Sequence, residues 1–265
     1  MIKLLVNLKE VQYKRWNFPS GELGVKLENL PKEITFIDVE WNFENNEEIF
    51  ELLLLSDAFA RFGKMIDRLR IPYLPYSRQD RVCHSGESFS LEVIAKLINL
   101  VNAQQVRTWD VHSEVACEKI FRLNNIEQYM LASSLPIFDV LIAPDKGAAE
   151  KAKLHDQVHF EGTPVVFMTK TRKDGKVLYD DLEPDTIQGE VCVVDDLADG
   201  GGTFLSLAEM LKRTQPGITK LSLYVTHGLF TAGAETLLQC YDEIFTANLV
   251  NSKGLVKEGQ VKVIR

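Results

Sequence analysis

Short apolar runs rich in β-branched residues alternate along the chain with segments of helical spacing, and this alternation constrains the fold more than any other feature. "EITFIDVEW" reads as a strand and "NNEEIFELLLLSDAFARFG" as a helix, with Asn45 or Asn46 as its cap. "RLRIPYLPY" returns as a strand, "SLEVIAKLINLVNA" as a helix capped by Ser90, and "QQVRTWDVH" as a strand. The cycle restarts with "FDVLIAPD", a helix in "AAEKAKLHDQ", and the strands "PVVFMTK" and "EVCVVDD". "TFLSLAEMLKRT" is helical, "KLSLYVTHG" and "DEIFTAN" are strands, and a helix lies near "GAETLLQC". Strand–helix alternation predicts α/β architecture, with mostly parallel sheets flanked by helices on both faces. Two such runs predict two domains, residues 1–130 and 131–265, joined near "EQYMLASSLPIF".

Composition narrows the function classes. The 265 residues are 45% hydrophobic and 26% charged, with a net charge of −8. No basic stripe accompanies that charge, so no nucleic-acid partner is expected. No apolar run reaches the ~18 residues of a membrane span, and no signal-peptide pattern opens the sequence, so no membrane association is expected. Cys83, Cys117, Cys192 and Cys240 are widely spaced and form no CxxC pair. They read as reduced thiols of a cytoplasmic protein.

One stretch carries more chemistry than a strand–turn–helix corner needs: "VCVVDDLADGGGTF", Val191 to Phe204. In parallel α/β sheets, ligands collect at the carboxyl ends of strands, where Asp195 and Asp196 are expected. Asp199 and the glycines Gly200, Gly201 and Gly202 follow. Glycines let backbone N–H groups approach an anion closely, and the start of a helix favours negative charge. Thr203 can add a hydroxyl and cap the helix. The loop is suited to a phosphate, and the acids to sugar hydroxyls or a cation.

"VVDDLADGGGT" resembles the ribosyl-phosphate loop of the phosphoribosyltransferase fold, and most of all that of the ribose-phosphate diphosphokinases (phosphoribosyl-diphosphate synthetases). Other stretches match that family in order. "FPSGE" is similar to its FSDGE loop, "LPYSRQDR" to its PYxRQD segment, and "WDVHS" to its DLH strand end. "APDKGAAEKA" resembles its PDxGG diphosphate loop, "KTR" its K-x-R pair, and "THGLF" its THGxF. The resemblance covers nearly the whole chain and implies two phosphoribosyltransferase-type domains, nucleotide side first.

It also implies an enzyme that transfers the diphosphoryl group of ATP to the anomeric hydroxyl of ribose 5-phosphate, with Mg²⁺, releasing AMP. Residue by residue, His112 and Asp145 match the metal-contacting positions, one per domain. Phe18, Glu22, Arg78, Gln79 and Asp80 match the ATP-contacting segments. Lys170 and Arg172 match the catalytic pair, on a polar stretch, "TKTRKDGKVLYD", that reads as a lid containing Gly175. Asp145, Lys146 and Gly147 open the diphosphate loop; Asp195, Asp196, Asp199, Gly200, Gly201, Gly202 and Thr203 match the ribose-phosphate site. In the family the Phe18 segment reaches a neighbouring subunit, which implies a homo-oligomer, at least a dimer.

The chain also departs from the family. Its amino-terminal stretch is too short for the usual strand, Gly/Ser turn and helix, and no final helix follows "VKVIR". Ser20 replaces an acid, "RVCHSGES" has lost most of the basic charge that follows RQD, and Lys146 replaces a small residue. Gly200 and Gly201 stand where a hydroxyl and a small side chain are common. These departures open the acceptor specificity, and the resemblance implies two alternatives: the same chemistry with ADP-ribose as acceptor, as in an NAD-salvage branch of these enzymes, and second a non-catalytic regulatory homologue.

Overall fold

The computed structural model describes residues 1–159, 162–173, 176–180, 182–250 and 254–264; among these it describes every side chain except those of residues 146, 156–159, 172–173 and 176–177. The chain divides into two compact units, Met1–Ile126 and Glu127–Arg265.

The first unit begins with antiparallel structure. β1 (Ile2–Val6) and β2 (Lys9–Val11) form a hairpin, and β3 (Tyr13–Asn17) pairs with β4 (Leu23–Leu27) in a separate two-stranded sheet. Asn7 and Leu8 both have positive φ, 51° and 65°, which suits the two-residue turn of a right-twisted hairpin. The unit continues with β5 (Ile37–Trp41), α1 (Glu47–Arg61), β6 (Arg68–Ile71), α2 (Ser90–Leu100), β7 (Gln105–Trp109), α3 (Val115–Lys119) and β8 (Leu123–Ile126). The main sheet runs β2-β1-β5-β6-β7-β8. β5 to β8 are parallel, whereas β1 meets β5 antiparallel.

Register sorts the side chains of this sheet onto two unlike faces. Leu4, Val39, Leu69, Val106 and Leu123 lie in one row. They pack with Leu52, Leu55 and Phe59 of α1 and with Leu91, Ile94 and Ile98 of α2. The next row, on the opposite face, is Lys3, Glu40, Arg70, Arg107 and Asn124, and beside it lie Asp38 and Arg68. Asp38 is buried and accepts from Arg68 and Arg70, while Arg70 also reaches Glu40. The expectation of a sheet covered by helices on both faces is therefore corrected here. "RLRI" and "QVRTW" alternate, which is the pattern of a sheet with one apolar face.

The second unit opens with a 3₁₀ turn, Gln128–Leu131. It continues with β9 (Val140–Ala143), α4 (Lys146–His159), β10 (Val165–Phe167), β11 (Lys170–Lys173), β12 (Lys176–Tyr179) and β13 (Gly189–Ala198). α5 (Gly202–Thr214), β14 (Ile218–Gly228), α6 (Glu235–Leu238), β15 (Glu243–Leu249) and β16 (Lys262–Val263) complete it. The sheet order is β10-β9-β13-β14-β15-β16, all parallel, with β11 and β12 as a separate antiparallel hairpin. Both faces are apolar. Ile142, Val193, Leu223 and Ile244 pack under Phe204, Leu207 and Leu211 of α5. Cys192, Val194, Tyr224 and Phe245 pack on the other side with Phe138 and Ala132.

Two expected caps are corrected. α2 starts at Ser90 itself, with Phe89 as its N-cap, and α5 is capped by Gly201, leaving Thr203 as its second residue. For α1 the N-cap is Asn46, but the side chain that receives the Glu47 N–H is that of Asn45, at 3.0 Å. Among the described residues no helix is long and apolar enough to cross a membrane.

Candidate active site

In the second unit the geometry follows from where the parallel strands end. β9 stops at Ala143, and Asp145 two residues later opens α4. Its Oδ1 accepts from the Ala148 N–H at 3.0 Å, as a carboxylate at a helix start does. Its Oδ2 accepts from Lys170 Nζ at 2.5 Å, so the first residue of the β11–β12 hairpin lies against the first turn of α4. Burial pulls the Asp145 carboxyl upward. The Lys170 hydrogen bond, the Ala148 N–H and the Lys170 charge outweigh that pull and hold it below the usual aspartate value. Gly147 belongs to the same turn, and a Cβ on it would stand 3.2 Å from Asp145 Oδ1.

Asp195 and Asp196 lie in the carboxyl-terminal part of their strand, as the sequence suggested, and β13 continues past them to Ala198 alongside β14. Asp195 Oδ1 accepts from the Asp196 N–H at 2.8 Å. Burial, then the charges of Asp196 and Asp145, push the Asp195 carboxyl well above the normal range. Lys151 of α4 stands 3.9 Å from Asp196. The site thus gathers three carboxylates, with Lys170 and Lys151 facing two of them.

The turn after β13 is fixed from two sides. Asp199 accepts from Thr231 Oγ1 at 2.6 Å through its side chain and from Thr231 N–H at 3.1 Å through its carbonyl. Gly201 has φ +82°, and a Cβ there would meet the Leu237 side chain at 3.3 Å, so glycine is needed on both counts. At Gly200 and Gly202 a Cβ would meet nothing within 4 Å, so the loop is open on that side. Thr203 sits in the first turn of α5.

Among the described residues no cluster of three or more His, Cys, Asp or Glu forms a metal cage. The donor set nonetheless fits Mg²⁺, which takes one or two carboxylates and completes its shell with water and substrate phosphate. Negative charge crowded around the buried Asp195 is the feature such a cation would relieve.

In the first unit, His112 is exposed just past β7, after Asp110, which is buried with φ 41°. Arg78 and Gln79 are exposed in the turn after β6, and Asp80 is half-buried beside them. Phe18, 48% exposed, and Glu22 flank the turn of the β3–β4 hairpin, where the Phe18 N–H donates to the Glu22 carbonyl at 2.8 Å. Trp16 meets Phe18 edge-on at 5.8 Å and crosses Gly24, where a Cβ would stand 2.3 Å from the indole. The side chains of Lys146 and Arg172 and the residue Gly175 lie outside what is described.

Sequence reading missed two supports of the acid pair. Gln128 Nε2 donates to the Asp195 carbonyl at 2.6 Å and to Thr226 Oγ1 at 2.9 Å. Both amide hydrogens are then used, so Gln128 Oε1 accepts, and the buried His155 at 3.1 Å carries its proton on Nε2. Through these bonds Gln128 belongs with the second sheet, and the second unit begins at Glu127. It also missed Tyr179, across the hairpin from Lys170.

Residues 2–101 match the family model described as the N-terminal domain of ribose phosphate pyrophosphokinase. The chain is 30% identical over 261 residues to a ribose-phosphate pyrophosphokinase of Pyrococcus abyssi, covering 92% of this chain and 85% of that protein. It is equally similar, 30% over 264 residues, to the protein of that name from Pyrococcus furiosus, covering 94% and 89%. Among solved structures, the phosphoribosylpyrophosphate synthetase of Mycobacterium smegmatis superposes with a TM-score of 0.77 at 22% identity, covering 97% of this chain and 87% of that one, and so shares its fold. The chain belongs to the ribose-phosphate pyrophosphokinase family and is an enzyme of that type, a transferase that acts as a diphosphokinase.

Proposed function

We propose that the protein transfers the diphosphoryl group of ATP to the anomeric hydroxyl of ribose 5-phosphate, in the presence of Mg²⁺, giving phosphoribosyl diphosphate and AMP. The observation that carries this reading is the convergence of Lys170, Asp145 and the Asp195–Asp196 pair at the carboxyl edge of one sheet, beside an open glycine turn. Each unit is read as a phosphoribosyltransferase-type domain.

The turn from Asp199 to Thr203 receives the acceptor's 5-phosphate on backbone N–H groups at the start of α5. Asp195 and Asp196 orient the ribose hydroxyls. Lys170 is held in waiting by Asp145; transferred to the diphosphoryl oxygens, its charge stabilises the negative charge that builds as the anomeric oxygen bonds to the β-phosphorus and the α–β bridge breaks. Arg172 is assigned the same task, and Lys146 and Gly147 the diphosphate turn. Mg²⁺, when bound, would neutralise phosphoryl charge; Asp145 is assigned to hold it, and His112 is assigned a metal-contacting role. Arg78, Gln79 and Asp80 grip the nucleotide. Phe18 and Glu22, exposed at a hairpin tip, complete the adenine site of another copy, so the active form is at least a dimer.

One observation favours a second acceptor. The open space over Gly200 and Gly202 leaves room for a diphosphate that continues into an adenosine, as in ADP-ribose. A single experiment tests both readings: AMP release from ATP and Mg²⁺ with each acceptor. Release with ribose 5-phosphate supports the proposal. A kcat/KM at least tenfold higher with ADP-ribose would reassign the acceptor, and release with neither would overturn the function.

A further inference from the structure

The hairpin carries a second polar group that the roles above do not use. Tyr179 faces Lys170 across the hairpin in register. Its ring packs against the apolar cluster under α5. Its hydroxyl oxygen is buried and has no hydrogen-bond partner among the described residues. A buried hydroxyl left unpaired is costly, and such groups in native proteins call for an explanation. Here the neighbourhood supplies one. Burial, followed by the charges of Asp195 and Asp145, pushes the phenol far above its ordinary value, so it stays protonated and can donate.

The surroundings also select what it would donate to. A phosphate oxygen placed between Tyr179 and these carboxylates would be repelled by them. A sugar hydroxyl would not: it can donate to a carboxylate oxygen while its own oxygen accepts from the phenol. We propose that Tyr179 is a specificity-determining substrate contact, donating its O–H to one of the ring hydroxyls of the ribose acceptor while that hydroxyl donates to the acids of β13. The hairpin then brings two groups to one substrate, Lys170 to the phosphoryl oxygens and Tyr179 to the sugar. This rests on the proposed acceptor chemistry and deepens it, since it makes the enzyme a reader of ribose hydroxyls as well as of phosphate.

Tyr179→Phe removes one oxygen and tests the assignment without disturbing the packing. The melting temperature should be unchanged or higher, because an unpaired buried hydroxyl is lost. kcat/KM for ribose 5-phosphate should fall about ten- to a hundredfold. The 2-deoxy and 3-deoxy analogues separate contact from general damage: wild type should discriminate against both, and Tyr179→Phe should lose discrimination against one of them. A loss under twofold with ribose 5-phosphate, or an equal fold-loss with all three acceptors, overturns the assignment while leaving the diphosphokinase reading intact. Should wild type itself turn over no ribose 5-phosphate, that reading fails separately. Calorimetric titration of ribose 5-phosphate with Mg²⁺ then decides the contact, with equal affinity in wild type and variant counting against it.

Discussion

The two units solve the same problem, burying a mostly parallel sheet, in different ways. In the second, consecutive residues of β13 and β14 are buried on both faces, and helix α5 and the Phe138 cluster take one face each. In the first, only alternate residues of β6 and β7 are apolar, and the other face is a ladder of Asp38, Glu40, Arg68 and Arg70. The two sheets also differ at the edge: the first closes on the antiparallel β1–β2 hairpin, whereas the second is parallel throughout. On the ladder face the long stems of Arg68 and Arg70 cover the buried Asp38 and pair with it while their own heads stay partly exposed. The two-faced unit is the one in which the acids, the glycine turn and Lys170 converge.

A paired alanine scan would break this comparison if it is wrong. Leu69→Ala, Leu223→Ala and Tyr224→Ala each remove a fully buried side chain and should each cost about 2–5 kcal/mol in urea unfolding. Arg70→Ala, adjacent to Leu69 but on the ladder face and 28% exposed, should cost less, about 1–2 kcal/mol, because Arg68 still pairs the buried Asp38. An Arg70 loss as large as that of Leu69 would mean that the ladder is a second core.

The next contrast is chemical. Lys170→Ala should lower kcat by about 10²–10³-fold with ATP affinity nearly unchanged, because the lysine is assigned to the developing charge of the transition state. Arg78→Ala, in the first unit, should act mainly on the KM for ATP. Steady-state kinetics read both, and a Lys170→Ala enzyme at wild-type kcat would move the chemistry out of the hairpin.

Much of this was legible in the sequence because it depends on local pattern. "EVCVVDDLADGGGT" announces a strand buried on both faces, an acid pair and a turn, and the structure builds those elements there. The alternation of "RLRI" and "QVRTW" announced the one-faced sheet too, but the strand–helix rhythm around them pointed to cover on both sides. The amino-terminal hairpins were not legible: the β1–β2 turn places Asn7 and Leu8 at positive φ with no glycine to mark it. Capping failed at Ser90 and Thr203 because the cap is set by the dihedral of the preceding residue, which residue type alone does not reveal. Tyr179 and Gln128 could not be found at all, since each matters through residues far away in the chain that only the fold brings near.

The smallest expected effect sets the buried acids of the two units against each other. Asp38 lies between Arg68 and Arg70, so Asp38→Asn removes two ion pairs and should lower the melting temperature at any pH near neutrality. Asp195 is crowded by burial and by the charges of Asp196 and Asp145, which raise its proton affinity in the folded state. The folded protein then holds that proton more tightly than the unfolded chain does. The stabilisation this provides is complete below the unfolded value, about pH 4, and is lost as the pH rises through the elevated folded value. Asp195→Asn keeps the shape and abolishes the titration. In metal-free buffer it should therefore match wild type near pH 4 and melt a few degrees higher at pH 8, where about 1 kcal/mol corresponds to roughly 2–4 °C for a chain of this size. A gap that closes as the pH rises, or an Asp195→Asn protein less stable than wild type at pH 8, would show that Asp195 is satisfied in the folded site as Asp38 is, and the contrast between the two buried acids would be gone.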